Sequence, residues 1–128
     1  MNINTHLKID NKISGNCIEL KQNYAKVELN TKEFMCADKQ GLIHGGFIFS
    51  SADYCAMLAI NDPNVVLAKS NTKFIAPVRL NDIVILEAKV ITSDGFKSEV
   101  QVSAFVNEKE VFKGSFFTAT LKKHIFDV

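Results

Sequence analysis

The chain has 128 residues, one domain's worth: enough for a real apolar core and too few for a catalytic domain plus a separate reader domain. Fifteen basic against fourteen acidic residues leave the charge near neutral, which removes the electrostatic case for nucleic acid or an anionic membrane and points to small-molecule or protein partners. Three cysteines, Cys17, Cys36 and Cys55, are odd in number, far apart and without a CxxC pair, so reduced thiols are expected rather than a disulfide framework or a zinc site.

The first residues, MNINTHLKIDNK, lack the apolar h-region of a signal peptide, and no apolar run approaches the length of a membrane span, so the expected location is cytoplasmic, without membrane insertion. Residues 1–16 are expected to form an N-terminal extension. From Cys17 to Asn30, CIELKQNYAKVELN alternates apolar and polar residues in two pieces, as a hairpin or one bent strand would. Thr31 to Leu42 dissolves into polar residues and glycine, a loop that delivers the chain to His44. A central helix is expected over 44–61: the run Phe47 to Ile60 is apolar on nearly every face, too long for one strand and rich in Ala, Met and Leu, which marks a buried helix. Asn61, Asp62 and Pro63 stop it. Strands are expected at Val65–Ala76, Ile83–Ile91, Lys97–Val106 and Val111–Lys122, separated by PVRLND, SDGF and NEKE, with Asp94-Gly95 the best hairpin signal. The fold class is therefore α+β: a single domain in which a curved antiparallel sheet of five or six strands wraps a buried helix.

Within that helix stands one carboxylate, Asp53. Desolvating a charged carboxylate is costly, so an Asp in an apolar interior requires a partner or a function. Either Asp53 accepts bonds from nearby backbone or from Ser50 and does no chemistry, or its face lines a cleft holding water or substrate.

The pattern D-x-x-G-x-x-H-G-G from Asp38 to Gly46, an aspartate nine positions after His44, and NTKFIAPV beginning at Asn71 resemble a hotdog-fold acyl-CoA thioesterase of the phenylacetate-pathway type, over roughly Cys17 to Lys122. The resemblance implies that Asp53 is the catalytic carboxylate, as general base or nucleophile, and that the Gly45 amide polarises the thioester carbonyl. It implies substrate binding by Asp38, His44, Gly46 and Asn71, with His44 mainly structural, and coenzyme A present only as part of the substrate. Arg79, after the PV turn, is a candidate for the coenzyme A phosphates, with Lys73, Lys122 and Lys123 as weaker ones. Among the ten phenylalanines most are core by default, and one or two are candidates for an acyl tunnel. His6 and His124 read as surface residues.

Gly45 and Asp53 are eight residues apart, which on one helix is roughly 12 Å of rise. One thioester carbon cannot touch both, so the expected site is shared between the chains of a homodimer, or of a tetramer built from such dimers. Two positions depart from the family pattern. Asp38 stands where these thioesterases usually carry Asn, and Leu67 where some place a Ser. An ionised Asp accepts hydrogen bonds but cannot donate them, and it would repel Asp53 in a shared site. These departures leave two functions open: binding acyl-CoA thioesters at a dimer-interface site with hydrolysis to acid and CoA, or binding them without turnover as a sensor acting through a protein partner. A purely structural dimer would leave Asp53 and the glycine pair unexplained.

Overall fold

Ala25, Val27 and Leu29 alternate with polar residues, and in the computed structural model, which describes residues 1–128, all three are fully buried on one face of a strand. The chain forms a helical turn α1 (Asn11–Ser14), strands β1 (Asn16–Lys21) and β2 (Tyr24–Asn30), a 3-10 turn (Glu33–Met35) and helix α2 (Gly45–Ile60). Strands β3 (Val65–Phe74), β4 (Ile83–Ser93), β5 (Lys97–Val106) and β6 (Lys109–Thr120) follow, then a last 3-10 turn (Ile125–Asp127). The six strands make one sheet in the order β1-β2-β4-β5-β6-β3, every pairing antiparallel. The expected α+β architecture is thus present with six strands, and β1 and β3 are its edges.

Cys17 to Asn30 is a hairpin rather than one bent strand: the chain reverses at Gln22-Asn23, and Asn23 takes a positive φ of 62°. At the β4–β5 turn the Asp94 side chain accepts the N–H groups of Phe96 and Lys97 while Gly95 supplies the left-handed residue, φ 88°. Four register shifts interrupt the ladders, at Cys17/Glu19 in β1, Leu67/Lys69 in β3, Val90/Thr92 in β4 and Ala104/Phe105 in β5.

Helix α2 occupies the concave side of the sheet, with Ala52, Cys55, Ala56, Met57 and Leu58 fully buried. His44 and Asn61 are its caps, so the expected 44–61 overshoots each end by the cap residue alone. Asn61 ends the helix in left-handed geometry, φ 56°, its N–H donating to the Met57 carbonyl at 2.8 Å. The Cys55 thiol points into the sheet, toward the carbonyls of Ala25 and Leu86. All three cysteines are free. No helix is long and apolar enough to cross a membrane.

Residues 1–16 lie against α2. The Asn61 side chain accepts from the Asn4 N–H and donates to the Asn2 carbonyl, both at 2.8 Å, and Ser14 and Ser50 share a hydrogen bond of 2.8 Å. These bonds satisfy polar groups at the exposed end and flank of the helix, which is why the segment adheres.

Candidate functional site

The loop ahead of α2 is tied on both sides. Asp38 Oδ1 accepts the N–H groups of Gln40 (2.9 Å) and Leu42 (3.2 Å), forming a local Asx turn, and Gly41 turns the chain with φ 86°. Ile43 N–H then donates to the Val78 carbonyl and His44 N–H to the Met35 carbonyl, each at 2.9 Å. Leu80 N–H donates back to the Gly41 carbonyl at 2.8 Å, and Leu42 bridges Arg79. The helix start is therefore held at a fixed place beside the end of β3.

Gly45 and Gly46 are the first helical residues, and their N–H groups have no intrahelical acceptor and no other hydrogen bond. Two free amides at a helix N-terminus favour developing negative charge on an oxygen. Their lack of side chains matters differently. A Cβ at Gly45 would lie 3.1 Å from Cε1 of Phe74, and one at Gly46 would lie 3.0 Å from Nε2 of His44. His44 is exposed, makes no side-chain cap and packs its ring edge-on to Phe47 with centroids 6.1 Å apart. That placement fits a structural role at the helix entrance.

Asp53 lies two turns further on. It is half-buried, and its Oδ1 is buried with no hydrogen-bond partner. Ser50, the residue that could have satisfied it, is engaged with Ser14, and Ser51 Oγ donates to the Ser14 carbonyl at 2.9 Å. Neither Ser50 nor the nearby backbone therefore satisfies Asp53 Oδ1 within the chain. Burial pushes its carboxyl up to about 6, and burial is the only cause. The charge of Asp38, exposed and engaged with its own loop, does not reach Asp53 within one chain, so the expected repulsion has no basis in a single protomer.

The other candidates divide. Arg79 joins the entrance cluster: its backbone N–H donates to Asp82 Oδ2 at 2.8 Å, its carbonyl accepts from Asp82 N–H and Thr31 Oγ1, and its exposed guanidinium is in no ion pair. Asn71 does not join it. It is exposed on β3 and shares a face with Lys69, whose ammonium lies over the Phe117 ring, whereas Ser70, Thr72 and Phe74 alternate onto the helix side. The bulge at Leu67/Lys69 puts Leu67 and Ser70, three residues apart, on that same helix side. The strand's period could not reveal this.

The residue that sequence reasoning did not single out is Phe74. Its ring meets Phe112 edge-on (centroids 5.1 Å apart), and Phe112 and Phe116 continue to Phe49, one turn before Asp53. An aromatic row thus runs from Phe74, beside Gly45, to Phe49, one helical turn before Asp53. An apolar groove of about 350 Å³ opens beside Gly45 at the Phe74 end.

The family model of the thioesterase superfamily matches residues 40–112. Among curated relatives, a methylthioribose-1-phosphate isomerase of Aquifex aeolicus is 50% identical over 121 residues, 94% of this chain and 26% of that protein. Transcription factor FapR of Caldanaerobacter subterraneus is 30% identical over 113 residues, 88% of this chain and 56% of the relative. The chain thus spans about a quarter of the first relative and just over half of the second. Among solved structures, the uncharacterized protein PH1136 of Pyrococcus horikoshii superposes with a TM-score of 0.97 at 41% identity, covering 99% of this chain and 98% of that one. A hypothetical thioesterase protein of Streptococcus pneumoniae, solved with coenzyme A, reaches a TM-score of 0.77 at 15% identity over 85% and 87% of the two chains, a likeness of fold alone.

Proposed function

The chain belongs to the thioesterase superfamily, and from that premise we propose that it binds acyl-CoA thioesters at a site shared between two copies of itself and hydrolyses them to the free acid and coenzyme A. The observation that carries this reading is Asp53: a buried carboxylate oxygen without a partner, on a helix whose N-terminal amides are also free. Such a group is costly to keep in an apolar helix and becomes useful when water or substrate lies beside it.

The division of labour follows from the groups. Asp53 of one copy takes a proton from water as the oxygen attacks the thioester carbon, and the carbonyl oxygen gains negative charge facing the Gly45 amide of the other copy. The carbon–sulfur bond then breaks, and the departing sulfur of coenzyme A takes up the proton. Arg79, at the entrance and free of any ion pair, suits the phosphates of the nucleotide end. The ligand seen with the Streptococcus pneumoniae protein, coenzyme A, supports the ligand class.

Thiol release over a panel of acyl-CoAs, run beside direct binding, tests this. Asp53→Asn keeps the shape and removes the base, so turnover should fall by roughly two to four orders of magnitude while binding survives. Equal hydrolysis by wild type and Asp53→Asn would show the chemistry to be elsewhere. A second reading, a sensor that binds without turnover and acts through a protein partner, is favoured by the 30% identity to a transcription factor. It forecasts saturable binding by both proteins and no thiol release from either.

A further inference from the structure

The groove beside Gly45 is lined mainly by aliphatic side chains, among them Leu42, Ile43, Ile48, Pro77 and Val111, and none of its lining residues is ionisable. One of its walls is different. Phe74, the last residue of β3, is 54% exposed although it is large and apolar. Its position is nonetheless fixed: the next two N–H groups, of Ile75 and Ala76, both donate to the Val111 carbonyl at 2.8 and 3.2 Å, and the ring leans on the fully buried Phe112. Cε1 of that ring lies 3.1 Å from where a Gly45 Cβ would stand, and both residues line the groove, so the ring walls it directly beside the first residue of α2.

We propose that the groove at the α2 N-terminus takes an apolar acyl chain and that Phe74 is the wall that limits the length of chain admitted. This rests on the acyl-CoA reading above and adds its specificity. An uncharged, aliphatic lining offers nothing to a polar or carboxylated acyl group, and burying such a group there without a partner would be penalised. Within one chain Phe74 is half-exposed, so truncating it should leave the fold of each protomer intact.

Binding of straight-chain acyl-CoAs of increasing length to wild type, Phe74→Leu and Phe74→Ala provides the test, with thermal unfolding confirming the fold of each. Wild-type affinity should rise by about fourfold per methylene, the ratio for burying one CH₂, and then stop at a definite length. In Phe74→Ala the plateau should move to longer chains, in Phe74→Leu to an intermediate length, with short-chain affinities kept within about twofold. Ile83→Ala, on a strand that does not line the groove, should leave the profile as it is. Binding retained with an unmoved plateau would overturn the proposal alone. Uniform weakening at every length, free coenzyme A included, would overturn it too, by assigning Phe74 to the coenzyme. If neither wild type nor variants bound any acyl-CoA, the acyl-CoA reading itself would fall and this inference with it.

Discussion

At Asp53 the cost of burial and the proposed role as a base act in opposite directions on one carboxyl group. That carboxyl is pushed up to about 6 by burial, above the ordinary 3.8. A base must be ionised to act, so kcat/KM should climb with pH along an acid limb centred near 6 and level off above it. The same shift acts on stability with the opposite sign. Between these two values the folded chain holds a proton that the unfolded chain has released, so this stabilising contribution is complete below 3.8 and is lost as pH rises through 6. Asp53→Asn should therefore be more stable than wild type at neutral pH. The shift alone sets a ceiling of about 3 kcal/mol, and solvent at a half-buried carboxylate reduces this to on the order of 1 kcal/mol. Chemical denaturation across the acid range checks it: the gap should open as pH rises from about 4 to about 6 and then stay constant, and a gap that widens toward acid would contradict the assignment.

Strand β3 is where one glycine sets the geometry of an element. A Cβ on Gly114 of β6 would stand 2.6 Å from Cγ2 of Thr72, 3.0 Å from the Asn71 carbonyl oxygen and 3.1 Å from the Thr72 Cα. Two of those atoms are backbone and cannot swing aside, so the strands themselves must part. Gly114→Ala is expected to cost about 1–3 kcal/mol through overpacking, read as a lowered midpoint of denaturation. Because β3 is an edge strand whose outer side has no strand partner, loosening it should also weaken any association through that edge. Helix α2 is less sensitive at its start. The contact facing a Gly45 Cβ is with the ring edge of Phe74 at 3.1 Å, which need shift by only a few tenths of an ångström, so Gly45→Val should fold while its side chain screens the amide from a thioester.

For the whole molecule, the edge of β3 and the distance between Gly45 and Asp53 lead to the same arrangement. Ten residues of strand with a free edge invite pairing with a second copy, and a site needing both groups cannot be assembled from one α2. A dimer is therefore the expected state in sedimentation at micromolar concentration. The shared site has a sharper test. Gly45→Val and Asp53→Asn should each be inactive alone, yet a mixed dimer carries one site with both wild-type groups. Randomly re-paired in equal amounts, the two variants should recover about a quarter of wild-type turnover, since about half the dimers are mixed and each has one of two sites intact. No recovery, with subunit exchange demonstrated, would place both groups within one chain's own site.

Much of this was legible in the order of residues, because the signals were local. The apolar run closed by Asn61, Asp62 and Pro63 marked α2 to within its caps, the alternation of Ala25, Val27 and Leu29 marked a strand, and Asp94-Gly95 marked its turn. The sequence also singled out Asp53, since a lone carboxylate in an apolar run is conspicuous without coordinates. What it could not supply was whether that carboxylate had a partner. Ser50 was available by spacing, and only the folding of residues 1–16 against α2 gave Ser50 to Ser14 instead and left Asp53 Oδ1 alone. Asn71 lay in the right motif but on the outward side of β3, because side-chain direction depends on a register that a bulge had shifted. Phe74 read as one core phenylalanine among ten, and became a wall beside Gly45 only when β3 and α2, far apart in the chain, met at one end of the sheet. Local pattern determines the elements, because turn chemistry and periodicity act over a few residues; tertiary packing alone determined which polar groups stayed unpaired and which side chains face one another.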